Sequence, residues 1–305
     1  MEVFWLKGVK RMKNQKRRKR RRARKIKGMC ILCLCAVVGL GLWKQMNKDM
    51  GENILAEIAD VFSEEKKDYI IEAPKVLEEN EIEEKLKELA GEYDEFSEVY
   101  EMRDNYPKDM LAALCNNPEM IDFVKGYFDA EKKASGKITR SELEEGFPLF
   151  LQWDKRWGYA SYGNSNIGMS GCAPTCLSMV IVSLTGNKDA TPAQVANFAW
   201  KNGYYIEGTG TSWSLMTNGC LEYGISGREI SLDKDSIFKE LEQGHPVICS
   251  VRAGDFTTSG HFILLVGVED GKIKVNDPNS TYRSKEIWDY DKLRKQIKNL
   301  WAFSA

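Results

Sequence analysis

Only two histidines, His245 and His261, occur in the 305 residues. Any imidazole chemistry therefore runs through one or the other. Close metal-ligand pairs are just as scarce. Cys172 and Cys176 form one Cys-x3-Cys with no second close pair, and adding Cys220 and a histidine makes a poor zinc set. Glu131 to Glu142 carries the Gly, Ile and final Glu of a calcium loop, yet it contains no Asp and puts Lys133 at a ligand position. Neither a metal nor a cofactor is expected, and no nucleotide-binding motif occurs.

Charge of either sign is missing from Gly28 to Trp43. That stretch makes about 24 Å of helix against a hydrocarbon core of about 30 Å. Ile26 and the snorkelling side chains of Lys27 and Lys44 lengthen it, and Trp43 suits the interface. Gly39-Leu40-Gly41 is a poor small-x-small cleavage site, and the basic segment before it is long for a leader. An uncleaved transmembrane anchor is expected in preference to a cleaved signal peptide. Residues 1–27 carry a net charge of +13, residues 44–146 carry −14 and residues 147–305 carry 0. The basic flank predicts a single-pass protein of the cell membrane, with a cytoplasmic N-terminus, the lipid bilayer contacted through 28–43 and the remainder extracellular. In that setting the Lys16–Arg22 run is a topology signal, and no nucleic-acid partner is expected. Cys30, Cys33 and Cys35 read as apolar filler in the anchor and form no lipoprotein signal.

Residues 44–146 read as an acidic helical stalk or spacer. Ile54, Leu55, Ile58, Val61 and Phe62 share one helical face, and Ile82, Leu86, Leu89, Tyr93, Phe96 and Val99/Tyr100 alternate steps of four and three. Dense Glu and Lys between them suit an exposed helix pair or a short coiled coil. Two shorter helices follow: Pro107 to Leu114, then one capped by Asn117 with Pro118 at its first position, running to Phe128.

From residue 147 charge falls and aromatic residues and glycines rise, and 147–305 is long enough for one packed domain. Helices are expected over Ala173–Leu184, ending at Gly186, and over Pro192–Trp200, Ser212–Tyr223 and Asp235–Glu242. Strands are expected over Ser226–Ser231, Val247–Arg252, Phe262–Val268, Lys272–Asn276 and Leu300–Phe303. Glu269-Asp270-Gly271 is a hairpin turn, so the strands on either side of it should be antiparallel neighbours. The layout is α+β: a helix packed on an antiparallel sheet.

Ser170-Gly171-Cys172-Ala173-Pro174-Thr175 is a loop entering the first of those helices, with Pro174 in a turn where its missing N–H is harmless. The sulfur of Cys172 then lies at a helix N-terminus, where free N–H groups favour an anion, and thiolate is the nucleophilic form. A buried structural cysteine is the other reading of this stretch. Cys176 is one turn further along, on the packed face. His261 opens a strand apolar enough to be buried on both faces, whereas His245, in Gly244-His245-Pro246, looks like a turn residue. Asp277, at the end of the strand paired with that of His261, can reach an imidazole there. Cys220 and Cys249 stand either as an extracellular disulfide or as two buried thiols.

Gln152-Trp153-Asp154-x-Arg156-Trp157, Gly171-Cys172-Ala173-Pro174-Thr175, Gly210-Thr211-Ser212-Trp213, Gly260-His261 and Asn276-Asp277-Pro278 resemble, in this order, the motifs of the C39-like cysteine peptidases. These are papain-fold proteins common outside the membrane of Gram-positive bacteria. The resemblance covers residues 147–305. It implies Cys172 as nucleophile, His261 as base, Asp277 as orienting acid and Gln152 as an oxyanion donor beside the backbone N–H of Cys172. In papain the glutamine lies much nearer the cysteine, so a packing role for Gln152 stands beside that one. Ala173 replaces the family's usual second glycine.

The expectation is a membrane-anchored extracellular peptidase that cuts peptide or protein substrates through an acyl-enzyme. A peptidoglycan amidase or endopeptidase acting on cell-wall peptides through the same triad is the alternative within enzymes. A papain-fold binding module without activity is the alternative outside them.

Overall fold

The computed structural model describes residues 69–305. The basic segment, the anchor expected at 28–43 and the helical face from Ile54 to Phe62 lie outside the described residues. Among the described residues no helix is long and apolar enough to cross a membrane.

After an extended lead from Tyr69, helix α1 spans Glu79–Glu92 and buries Ile82, Leu86 and Leu89. Its start is fixed by the carboxylate of Glu81, which accepts from the backbone N–H of Glu78 at 2.7 Å. The chain turns extended at Tyr93 and resumes in short pieces before α2, Lys108–Asn116, which is followed by the 3-10 turn Pro118–Met120 and α3, Ile121–Lys125. The expected breaks hold: Pro107 precedes α2, and the Asn117 side chain caps the turn that Pro118 opens.

Residues 69–146 are the described part of the expected acidic stalk or spacer. Leu86, Phe96, Val99, Leu114, Met120, Phe123 and Val124 close into a core of their own, and Trp153, Tyr159 and Met169 pack against it. Phe123 and Tyr159 stack with centroids 4.7 Å apart, and the Tyr159 hydroxyl donates to the Phe123 carbonyl at 2.9 Å. The physical reason lies in the breaks at Tyr93, Asn105 and Asn117. They stop a continuous heptad and fold short amphipathic pieces onto one another and onto the following domain. Tyr69–Ala305 accordingly forms one compact unit.

The would-be calcium loop ends in a capped turn of helix, Arg140–Glu144. Glu142, its final carboxylate, is paired with Arg156 at 2.7 Å, and Arg156 also bridges to Asp154 at 2.7 Å. Arg156 lies over the Trp157 ring at 4.2 Å. The charged members of the Gln152–Trp157 motif thus hold the domain's opening segment together.

Next come α4, Ile167–Ser170, and α5, Cys172–Thr185, which stops where Gly186 adopts φ +67°. Every residue from Ala173 to Val182 is buried. Helix α6, Pro192–Lys201, packs beside it under the cap of Thr191. The helix expected over Ser212–Tyr223 follows a short strand, Gly210–Thr211, paired with Tyr205–Ile206, and is broken into a helical turn at Ser214–Thr217 and a 3-10 turn at Gly219–Tyr223. The low helix propensity of Asn218-Gly219 interrupts it.

A six-stranded antiparallel sheet follows, built from β1 (Ser226–Glu229), β2 (Val247–Arg252), β3 (Gly260–Glu269), β4 (Lys272–Asn276), β5 (Ile287–Trp288) and β6 (Ile297–Ser304). Their order is β1-β6-β2-β3-β4-β5. Helix α7, Lys234–Glu242, lies against β3, and α8, Thr281–Lys285, follows β4. The β3–β4 turn places Asp270 and Gly271 at φ +51° and +71°, the left-handed pair a tight hairpin requires. Alternation sorts the strands between two cores. Ile248, Phe262, Leu264, Trp301 and Phe303 face α5 and α6, while Cys249, Ile263, Leu265, Leu300 and Ala302 face α7. Burial of a large apolar side chain is worth roughly 1.5–3 kcal/mol, so β3 is fixed in register from both sides. Cys220 belongs to one core and Cys249 to the other, and both are free thiols.

Candidate active site

Cys172 is the first residue of α5, and it alone of the residues from Gly171 to Val182 is partly exposed. Its position in the first turn leaves its backbone N–H without an acceptor inside the helix. Gly171 donates its own N–H back to Ile167 at 2.7 Å, so the approach to the helix is a fixed corner. Cys176 is fully buried, and its thiol lies 3.4 Å from the Phe262 carbonyl. Burial raises the pKa of Cys176 well above the ordinary thiol value and also raises those of Cys220 and Cys249.

His261 sits at the start of β3 opposite Val251 of β2. Its Nε2 lies 2.8 Å from Oδ1 of Asp277, and both residues are buried. The other ring nitrogen, Nδ1, is left for the cysteine, whose thiol interacts with the same imidazole. Burial disfavours the charged ring, but Asp277 and then Cys172 outweigh it and bring His261 up to about 9. Asp277 accepts at Oδ1 from the N–H of Asn279 at 2.8 Å as well, and at Oδ2 from Nε of Arg283 at 2.6 Å. Burial pushes this carboxyl up, yet Arg283 and His261 prevail and hold it at about 2. The Asp277 backbone N–H donates to Ser284 Oγ at 2.8 Å.

Gln152 is buried. Its Nε2 donates to the Gly168 carbonyl at 2.8 Å, and its backbone N–H donates to the Pro278 carbonyl at 2.7 Å. One residue therefore spans the corner before Cys172 and the loop after Asp277. Gly168 uses one of the two Nε2 hydrogens, while Oε1 is buried without a partner. Asn276 fastens the neighbouring strand end to the Phe147 carbonyl at 3.0 Å. The Gly210–Trp213 motif meets the buried Tyr162. The Tyr162 hydroxyl and Thr211 Oγ1 are 2.6 Å apart, and Tyr162 is close enough to Cys172 to be influenced electrostatically by it. Trp213 packs edge-on against Trp301 at 5.5 Å.

His245 lies elsewhere, with Nδ1 2.9 Å from Oε2 of Glu240 on α7, and Arg228 reaches the same oxygen at 2.5 Å. Among the described residues no group of three or more His, Cys, Asp and Glu side chains is placed to hold a metal ion. Arg283, Ser284 and Tyr162 were not expected from the sequence. The one available signal was an arginine six residues beyond Asp277 in a segment otherwise free of basic side chains before Lys285.

A sulfur at a helix N-terminus and a buried imidazole–carboxylate pair, carried by a helix and an antiparallel sheet, define an α+β domain of the cysteine-peptidase type. Residues 144–304 match the sequence model of the Peptidase_C39 like family. The match spans more than half of the chain, and the chain belongs to that family. No curated protein matches the sequence. The similar solved structures include the following two. The peptidase domain of Streptococcus ComA, a bifunctional ABC transporter of a quorum-sensing pathway, is 18% identical over 43% of this chain and 90% of its own, with a TM-score of 0.30. A Bacillus anthracis protein assigned as a C39-like peptidase is 12% identical over 55% of this chain and 98% of its own, with a TM-score of 0.28. At those values the two likenesses carry no weight beside the family match.

Proposed function

We propose that this protein is a cysteine peptidase working through Cys172, His261 and Asp277. The observation that carries the reading is the buried His261–Asp277 pair, with Nε2 committed to the carboxylate at 2.8 Å and the cysteine thiol on the same ring. In the reaction, His261 takes the thiol proton and the Cys172 sulfur attacks a peptide carbonyl. The carbonyl electron pair becomes an oxyanion, and its collapse breaks the C–N bond as His261 hands its proton to the leaving amine. Water, deprotonated by the same imidazole, then splits the thioester, releases the acid and returns Cys172 to its starting state. The backbone N–H of Cys172 and the second Nε2–H of Gln152 are the proposed oxyanion donors. Asp277 holds the imidazole in the tautomer that presents Nδ1 to sulfur.

The proposed substrate is a peptide or protein segment presented to the partly exposed Cys172. The net charge of +13 ahead of an uncharged stretch supports an anchored, extracellular setting, which protease added to intact cells tests through removal of the C-terminal domain. Cleavage itself is tested by digesting a mixture of unstructured peptides with the chain and with its Cys172→Ala variant. Products from the first and none from the second support the proposal. Equal products from both refute it.

A further inference from the structure

Asp277 is held by a loop that is itself held from outside the family-matched residues. Helix α8 is only five residues long, too short to be stable by its own hydrogen bonds. On one side it grips the acid: Arg283 Nε reaches Oδ2 of Asp277 at 2.6 Å, and Ser284 Oγ accepts the Asp277 backbone N–H at 2.8 Å. At its other end sits Glu119, in the turn between α2 and α3. Glu119 Oε2 accepts from Ser280 Oγ at 2.7 Å and from the Thr281 N–H at 3.0 Å. Its Oε1 accepts from the Thr281 hydroxyl and from the Tyr282 N–H at 3.2 Å.

Those N–H groups are the orphan donors of the first turn of α8, and a carboxylate satisfies them and complements the helix dipole. Ser280 relays the contact, since its Oγ accepts the Arg283 N–H at 3.2 Å. Asn117 adds a second fastening by donating its side-chain amide to the Asn279 carbonyl, which also accepts from Trp153 Nε1 at 3.0 Å. Glu119 and Asn117 precede the family match, which begins at 144.

We propose that Glu119 is a positioning residue for the Cys172–His261–Asp277 site, acting through α8 as a latch that keeps the Asp277 carboxylate on the imidazole. The helical segment around α2 and α3 is then a working part of the peptidase, and a fragment cut near residue 140 is an incomplete enzyme. The inference rests on the peptidase reading. With Glu119 removed, α8 frays, Arg283 and Ser284 loosen, and the ring loses part of the partner that keeps it charged.

The test is the pH dependence of Cys172 alkylation by iodoacetamide in the full chain, in Glu119→Ala and in Glu119→Gln, each first checked for a cooperative thermal transition. This readout needs no substrate, and a purely structural residue leaves it unmoved. The upper pH midpoint, where the imidazolium is lost, should fall by about 0.5–1 unit in Glu119→Ala and by less in Glu119→Gln. Turnover of a peptide substrate should fall about 5–20-fold at little-changed KM. If Glu119→Ala does not fold, Glu119→Gln decides. A folded variant whose midpoint coincides with that of the parent overturns the latch. A parent in which Cys172 alkylates no faster than an ordinary thiol and shows no such midpoint overturns the peptidase reading instead.

Discussion

Arg283 donates its Nε–H to Oδ2 of Asp277 at 2.6 Å with both side chains buried, while Oδ1 of the same carboxylate is turned to the imidazole. The acid of the site is thus held between two cations when His261 is charged. Removing the guanidinium leaves the buried carboxylate with Oδ2 unpaired and with His261 as its one charged partner beside the Asn279 N–H, a change that costs about 3–5 kcal/mol where a buried pair is broken from one side. Arg283→Met should lower the urea midpoint accordingly and reduce kcat by about 10–100-fold in whatever fraction remains folded. Unchanged stability and turnover would show that the pair is idle.

The two charged partners predict a pH window. His261 is raised from about 6.5 to about 9, so its contribution to stability is complete below about pH 6.5 and is lost as pH rises through about 9. Asp277 is lowered to about 2, so its contribution is complete above about pH 4 and is lost as pH falls through about 2. Denaturant midpoints measured from pH 3 to 10 should decline on the alkaline side in the parent and much less in His261→Ala. A parallel decline in both would assign the alkaline loss to other groups.

Gln152 separates two roles by its kinetics. As an oxyanion donor it acts on the transition state, so Gln152→Ala should lower kcat about 10²-fold or more with KM little altered. As a side-chain tie to the Gly168 carbonyl alone, the same change should cost about 1–3 kcal/mol of stability and leave the folded enzyme active, since the backbone bond to Pro278 survives it. The proposed mechanism expects both losses. A stability loss without the kcat loss would restrict Gln152 to packing.

His245 is the control for the base. It is half-buried, bonded to Glu240, and shares that carboxylate with Arg228. His245→Ala should cost about 1 kcal/mol and leave kcat within about twofold, whereas His261→Ala should lower kcat by about 10³-fold or more. Circular dichroism and turnover of an unstructured peptide decide between them. The reverse pattern would transfer the role of base to His245.

What the sequence made legible was local. Pro174 and Gly186 bracket α5, Asp270-Gly271 closes the β3–β4 hairpin, and the Phe262–Val266 run is apolar enough to need cover on both faces. These signals bring Cys172, His261 and Asp277 into neighbouring elements. What stayed hidden depends on contacts distant in sequence. The first turn of α8, capped locally by Ser280, is also bonded by Glu119, more than 160 residues earlier, and nothing within Thr281–Lys285 announces that partner. The apolar stripe of the helical region is visible in the sequence, while Trp153 and Tyr159, which help cover it, lie in another segment. The direction of the Gln152 amide is a tertiary fact of the same kind.

The central claim is that Cys172, activated by His261, is the one nucleophilic thiol among the described cysteines. The most direct measurement is the rate of iodoacetamide alkylation at pH 6, assigned to each cysteine by peptide mapping, in the parent, His261→Ala and His245→Ala. Cys172 should react in the parent and in His245→Ala and should become about 10²-fold or more slower in His261→Ala, with Cys115, Cys176, Cys220 and Cys249 protected throughout by burial. Labelling of Cys176 at the same rate, or of Cys172 at a rate indifferent to His261, would contradict the account.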